Sequence, residues 1–304
     1  MRNPVSSITA LLVGSILLAA CLSISAAPKP AAKSVVAPGA KPVKIVGKFR
    51  FTEGPAVDAK GNVFFTDIPN NLIYKYALDG KLSVWREDTG GANGLFFDRK
   101  GNLLACEGNR GRVTSTTTKG EVSVLADKYD GKRFNKPNDL WIDPQGGIYF
   151  TDPVYGRFKV TQGGQHVYYL SPDGKKVTRV IDDMKKPNGI VGSPDGKILY
   201  VADHGGRKVY RYDIGKDGAL ANKKEFAPVA CDGMTLDNEG NVYLTESLVL
   251  VYNSKGKRIE RIEVPMRPTN VCFGGSDMKT LVITGGRAVC TLKMRVKGVR
   301  TKSP

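Results

Sequence analysis

A six-bladed β-propeller is the fold this sequence predicts, and three observations carry the prediction. First, one pattern recurs: "VDAKGNVFFTD" ending at Asp67, "FDRKGNLLACE" at Glu107, "IDPQGGIYFTD" at Asp152, "SPDGKILYVAD" at Asp203, "LDNEGNVYLTE" at Glu246, and a worn "FGGSDMKTLVITG" at Gly285. Second, the closing residues are 40, 45, 51, 43 and 39 positions apart, which is the spacing of propeller blades and too long for a β-solenoid. Third, nothing between the copies shows about ten residues of helical periodicity, so a parallel α/β architecture is excluded.

Each copy is an apolar run, a D-x-x-G type turn and a second run of β-branched and aromatic residues. That is a hairpin, because the turn residues supply positive φ and the flanking runs suit a pleated, half-buried surface. Further strands follow in segments such as "LIYKYAL", "HVYYLSP" and "KVYRYDI", where apolar and polar positions alternate. Three to four strands per unit, six units in all, place the propeller over residues 45–292.

The flanks read differently. Residues 1–27, "MRNPVSSITALLVGSILLAACLSISAA", have a short basic start, an apolar stretch and small residues, the pattern of an export signal. Leu18-Ala19-Ala20-Cys21 resembles a lipobox, which leaves a lipidated Cys21 at a membrane. Cleavage near Ala27 gives a soluble exported protein instead, and both routes fit; an uncleaved signal anchor is a third option, weakened by Gly14 and the several Ser residues. Residues 28–44 are rich in Pro, Ala and Lys and are expected to be a linker. Residues 293–304, "KMRVKGVRTKSP", are expected to be a solvated basic tail.

Forty-six Lys and Arg against 29 Asp and Glu give a formal charge of +17. The basic residues are scattered and accompany no nucleic-acid motif, so no nucleic-acid partner is expected, and contact with a membrane is expected only through Cys21. Cys106, Cys231, Cys272 and Cys290 show no CxxC or Cys/His spacing. Buried thiols and disulfides both fit, and a zinc site does not.

Counting back from the closing residues gives candidate site positions. Fourteen residues before Asp67, Glu107, Asp152 and Glu246 lie Glu53, Asn93, Asn138 and Asp232; fifteen before Asp203 and Gly285 lie Asn188 and Asn270. Equivalent positions in a propeller are related by rotation about the central axis, so these six polar residues should face one another across the channel. Asn-Gly and Asp-Gly also form turns without any ligand. Glu53 is a poor turn residue, however, and the true turns lie downstream. Oxygens from Glu53, Asn138, Asn188 and Asp232 are what a hard cation demands, and two carboxylates with two amides favour calcium over the stricter octahedral magnesium.

The segments "EGP" at Glu53, "KPNDLWIDPQGGIYFTDPVYG", "KPNGIVGSPDGKILYVAD" and "CDGMTLDNEGNVYLTE" closely resemble the gluconolactonase and senescence marker protein (regucalcin) family of calcium-dependent six-bladed propellers. The resemblance runs from Gly47 to Gly286. It implies Glu53 and Asn188 as metal ligands, Asn138 as a residue beside substrate and metal, and Asp232 as a ligand with a catalytic role. It also implies a small-molecule lactone, most often a sugar lactone, as substrate. Calcium would polarise the lactone carbonyl while Asp232 acts as general base or nucleophile. The chain departs from the pattern at Lys136, where some members carry Arg. Asn93, Lys136 and His204 are further candidates for substrate contact; Glu107, Asp152 and Tyr155 could also reach substrate but are expected first to cap hairpin backbone, and Trp85 and Trp141 to pack. A phosphotriesterase-like hydrolase on the same metal, or a non-catalytic binding propeller, are the competing readings.

Overall fold

The computed structural model describes Met1, residues 34–45 and residues 47–299. The expected leader with Cys21, and residues 300–304 of the expected tail, lie outside the described residues. Within them, six four-stranded antiparallel sheets surround one axis. Blade one comprises strands Thr52–Val57, Val63–Asp67, Leu72–Tyr76 and Leu82–Arg86. Blade two is Ala92–Phe97, Leu103–Glu107, Arg112–Thr116 and Val122–Ala126. Blade three is Leu140–Ile142, Ile148–Asp152, His166–Leu170 and Val177–Ile181. Blade four is Pro187–Gly192, Ile198–Asp203, Lys208–Ile214 and Leu220–Ala227. Blade five is Met234–Leu236, Val242–Thr245, Val249–Tyr252 and Arg258–Ile262. The first strand of each blade lies innermost, against the first strands of its two neighbours.

The recurring D-x-x-G turns have one local cause. Asp58 Oδ1 accepts from the backbone N–H of Lys60 and Asn62, and Asp98 and Asp237 repeat the arrangement in their own hairpins. The chain can reverse there because Gly61, Gly101 and Gly240 take φ of +98°, +81° and +79°. Burial then follows the blade from axis to rim. Val63–Asp67 is wholly buried, whereas Val122, Ser123 and Val124 on the outer strand of blade two are exposed. Within blade three, Trp141 stacks on Tyr149 with ring centroids 5.9 Å apart, and Gly192 of blade four leaves room for the indole at the face between the two blades. Trp85 packs edge-on against Phe64 at 5.4 Å, so both tryptophans do the packing expected of them. All four described cysteines are buried free thiols.

Blade six corrects the linker and the tail. Its inner strands are Asn270–Gly274, Thr280–Gly285 and Ala288–Lys293, but its outer strand is Val43–Ile45, paired so that Val43 faces Thr291 and Ile45 faces Val289. The ordered chain begins before Ile45: Val35 is 1% exposed in a cluster with Leu292 and Met294, and Val36 bridges to Met294. The same cluster takes in Val296 from the expected tail, while Arg295 pairs with Glu239 at 2.8 Å. The physical reason is that an outer strand needs only one edge to pair with. Pro38 and Pro42 are tolerated there, and the composition of the segment hides its alternating apolar residues.

Burying a side chain of this size is worth ~1.5–3 kcal/mol, so losing Val35 and Ile45 together removes about 3–6 kcal/mol. A protein lacking residues 34–45 is expected to melt roughly 10 °C lower than the full chain. An unchanged calorimetric midpoint would show that the strand does not close the ring.

Candidate functional site

The inner strands approach one another at the ring positions, and glycine makes the approach feasible. Gly94 N–H donates to the Asn138 carbonyl at 2.7 Å, Gly189 N–H to the Asp232 carbonyl at 2.7 Å, and Gly233 N–H to the Thr269 carbonyl at 2.9 Å. A Cβ on Gly94 would lie 2.6 Å from the Asn138 oxygen, and one on Gly54 or Gly189 would collide with the carbonyl of Asn93 or Asp232. Polar-then-Gly is therefore a contact between blades rather than a turn. Each glycine lets the neighbouring blade's ring residue come to the axis.

The closing acids hold these strands from the other side. Asp67 accepts the N–H groups of Arg50 and Phe51 at 3.0 Å each, and Asp203 those of Lys185 and Lys186 at 3.1 and 2.9 Å. Asp152 accepts from Asn135 at 2.8 Å. In each case the held residues lie three or two positions before the blade's ring residue, so the carboxylate fixes how that residue enters the channel. Glu107 differs: it is buried between Arg86 at 2.6 Å and Arg112 at 2.8 Å.

Glu53, Asn93, Asn138, Asn188 and Asp232 line one cavity of about 250 Å³, together with Phe51, Ile68, Lys136 and Tyr155. Asn188 Nδ2 donates to Asp232 Oδ1 and to the Tyr155 hydroxyl, both at 2.6 Å, which leaves its amide oxygen without a protein donor. The buried Asn138 amide makes no hydrogen bond to any described residue. Glu53 Oε2 accepts from Gly54 N–H at 2.9 Å. Burial raises the pKa of Glu53 well above the usual carboxylate range, with further push from Asp232, and burial raises Asp232 too, against the pull of His204. Two raised acids and two under-used amide oxygens facing one small cavity are a donor set that fits a hard divalent cation. Among the described residues no three His, Cys, Asp or Glu side chains are grouped to hold a metal, so the set depends on its asparagines.

Two candidates stand outside that lining. Asn270 lines a second cavity of about 350 Å³, with Asp139, Trp141 and Met234, while its side chain also hydrogen-bonds Glu53 of the first. His204 does not line the first cavity; its Nδ1 contacts the Cys231 carbonyl at 3.2 Å and its ring lies 6.5 Å from that of Tyr155. Conversely, Asp139 and Tyr155 gain importance. Asp139 fills the position that glycine holds in four copies, and burial pushes it up to about 7. Its signal in the sequence was that exception, the only acid to follow a ring residue.

Two predictions follow from this geometry. Gly189→Ala forces the Asp232 backbone outward, so divalent-ion affinity measured by calorimetry is expected to fall at least tenfold, about 1.4 kcal/mol. Retained affinity would refute the close-approach account. Asp139 and Asp152 are both pushed up to about 7 by burial, so the folded chain holds protons that the unfolded chain releases near pH 4. Metal-free protein is therefore expected to lose stability as pH rises from about 4 to 7. A melting midpoint that climbs over that range would reverse the sign.

The whole arrangement can be set beside known proteins. A gluconolactonase from Zymomonas mobilis is 27% identical over 294 residues, covering 84% of this chain and 82% of its own. A lactonase drp35 from Staphylococcus haemolyticus is 26% identical, covering 79% and 77%. Among solved structures, a gluconolactonase from Xanthomonas campestris superposes with a TM-score of 0.79 at 29% identity, covering 86% of this chain and 91% of that one. A regucalcin from Agrobacterium tumefaciens, described as a calcium-binding protein, shares the fold at 22% identity and a TM-score of 0.70, over 84% and 94%. The profile of the SMP-30/Gluconolactonase/LRE-like region matches residues 51–287, from the strand that carries Glu53 to the end of the second strand of blade six, and the chain belongs to that family.

Proposed function

We propose that the chain is a divalent-metal-dependent hydrolase of lactones, sugar lactones foremost, with calcium as the ion. The observation that carries the reading is the convergence of Glu53, Asn138, Asn188 and Asp232 on one cavity. Relatives named for lactone hydrolysis support the reaction class. Held by these four residues, calcium would supply Lewis-acid polarisation of the lactone carbonyl.

The chain's own residues do the rest. Asp232 receives the proton of the attacking water, or attacks the carbonyl itself, and its carboxylate is aimed by the hydrogen bond from Asn188. The Tyr155 hydroxyl accepts the other Asn188 proton, so its own hydrogen is available to the substrate. Asn93 and Lys136 offer donors to ring oxygens from the facing wall. Phe51, Ile68 and Pro137 supply an apolar lining that limits water. The leader-like composition of residues 1–27 supports reading the chain as an exported protein.

The test is a panel of lactones, an aryl ester and a phosphotriester, assayed with calcium, with chelator and with Asp232→Asn. Lactone turnover is expected to vanish with chelator and to fall roughly 10³-fold in the variant, about 4 kcal/mol of transition-state stabilisation. Preference for the phosphotriester would change the substrate class. Turnover untouched by Asp232→Asn would remove the proposed site from the chemistry.

A further inference from the structure

The cavity described above has an electrostatic asymmetry that lactone hydrolysis alone does not require. Lys136 lines it, half-buried, and makes no ion pair among the described residues. Its Nζ lies 5.9 Å from the centre of the Phe158 ring, and the Arg133 guanidinium lies 5.0 Å from the same ring. Arg133 is also without a carboxylate partner within ion-pair distance. It donates instead to the carbonyls of Phe134 and Asn135, at 2.7 and 2.6 Å, and to that of Asn109, at 2.9 Å, a residue of the cavity wall. Lys186 Nζ sits 4.8 Å from the centre of the ring of Tyr155, which lines the cavity, again with no acid within ion-pair distance among the described residues.

The acids in the neighbourhood are committed elsewhere. Glu107 is taken up by Arg86 and Arg112, Asp88 by Arg110, and Asp67, Asp152 and Asp203 by backbone N–H groups. The two carboxylates that line the cavity, Glu53 and Asp232, match the charge of a divalent ion. The charges of Lys136, Arg133 and Lys186 are then surplus at the mouth. A half-buried cation loses hydration, and a cation–π contact returns only part of it, so leaving Lys136 unpaired costs stability unless an anion arrives. The propeller produces this placement. Lys136 and Lys186 occupy the same position, two residues before the ring residue of blades three and four, where Asp152 and Asp203 hold the backbone.

We propose that the substrate carries a negative charge outside the lactone ring, a phosphate or a second carboxylate, and that Lys136, backed by Arg133, binds it. The proposal rests on the lactonase reading for the reaction and on the cation cluster for the charge. The net charge of +17 acts in the same direction, by raising the concentration of anions near the mouth.

The experiment separates the two. Binding of 6-phosphogluconate and of gluconate to the full chain is measured by calorimetry with calcium present. Turnover of glucono-δ-lactone, its 6-phosphate and a glucaric acid monolactone is measured in parallel. The phosphorylated acid is expected to bind at least about tenfold more tightly than gluconate at low salt, and the ratio to shrink as salt is raised from about 50 to 500 mM. Lys136→Met is expected to bring the ratio close to one and Lys136→Arg to restore it, each variant first shown to melt with the parent. The glucaric lactone distinguishes a general preference for anions from one for phosphate. Equal binding of the two acids, or a preference indifferent to Lys136→Met, overturns the proposal while the lactonase reading stands on turnover of the neutral lactone by the parent chain. A Lys136-dependent preference with no lactone turned over keeps the anion site and rejects the lactonase reading.

Discussion

Everything at the centre of this molecule depends on how closely one inner strand can approach the next. The hydrogen bonds from Gly94 to Asn138 and from Gly189 to Asp232, each 2.7 Å, run between blades rather than within them. They bring side chains from five blades around a cavity of about 250 Å³. No single blade could do this, because a strand at the axis presents only one or two side chains there. The absence of a Cβ at four of the six following positions is what draws the ring tight.

From that constraint the division of labour in each repeat follows. The ring residue faces the axis, the next residue packs on the neighbouring blade, and in blades one, three and four the acid at the end of the second strand holds the backbone just upstream. Blade three is the exception that gives the channel two compartments. Asp139 replaces glycine there, and its carboxylate, with Asn270, belongs to the second cavity rather than the first. Asp232 with its raised pKa and the under-used amide oxygens of Asn138 and Asn188 belong to the first.

The ring was legible in the sequence because rotation about an axis converts a counted spacing into a shared location. Glu53, Asn138, Asn188 and Asp232 needed only the period and the position of each closing acid. What the period could not carry was anything that occurs once. Val35 and Val43–Ile45 belong to blade six but lie at the other end of the chain, inside a stretch whose composition resembles a linker. Tyr155 reaches Asn188 from a loop with no counterpart in the other blades. His204 is one residue beyond a closing acid, near enough in sequence to suggest the cavity, yet its ring turns to the Cys231 carbonyl. Asp139 broke the polar-then-Gly pattern, and a broken pattern shows that something differs without showing what it faces.

The closure of blade six by the chain's own beginning links folding to chemistry. Thr269 Oγ1 donates to the Thr52 carbonyl at 2.8 Å, and the Thr52 N–H donates to that of Gly286, also at 2.8 Å, across the junction where the first and last blades meet. These contacts join residues more than two hundred positions apart, so closing the ring carries a large loop-closure entropy. Glu53 stands beside that junction and Asp232 on the blade before it, so the cavity does not exist in any form of the chain whose ring is still open. With an ion held between them as proposed, its binding energy would add to the stability of the closed ring by mass action, and the ion's concentration would become a term in how long the ring stays shut.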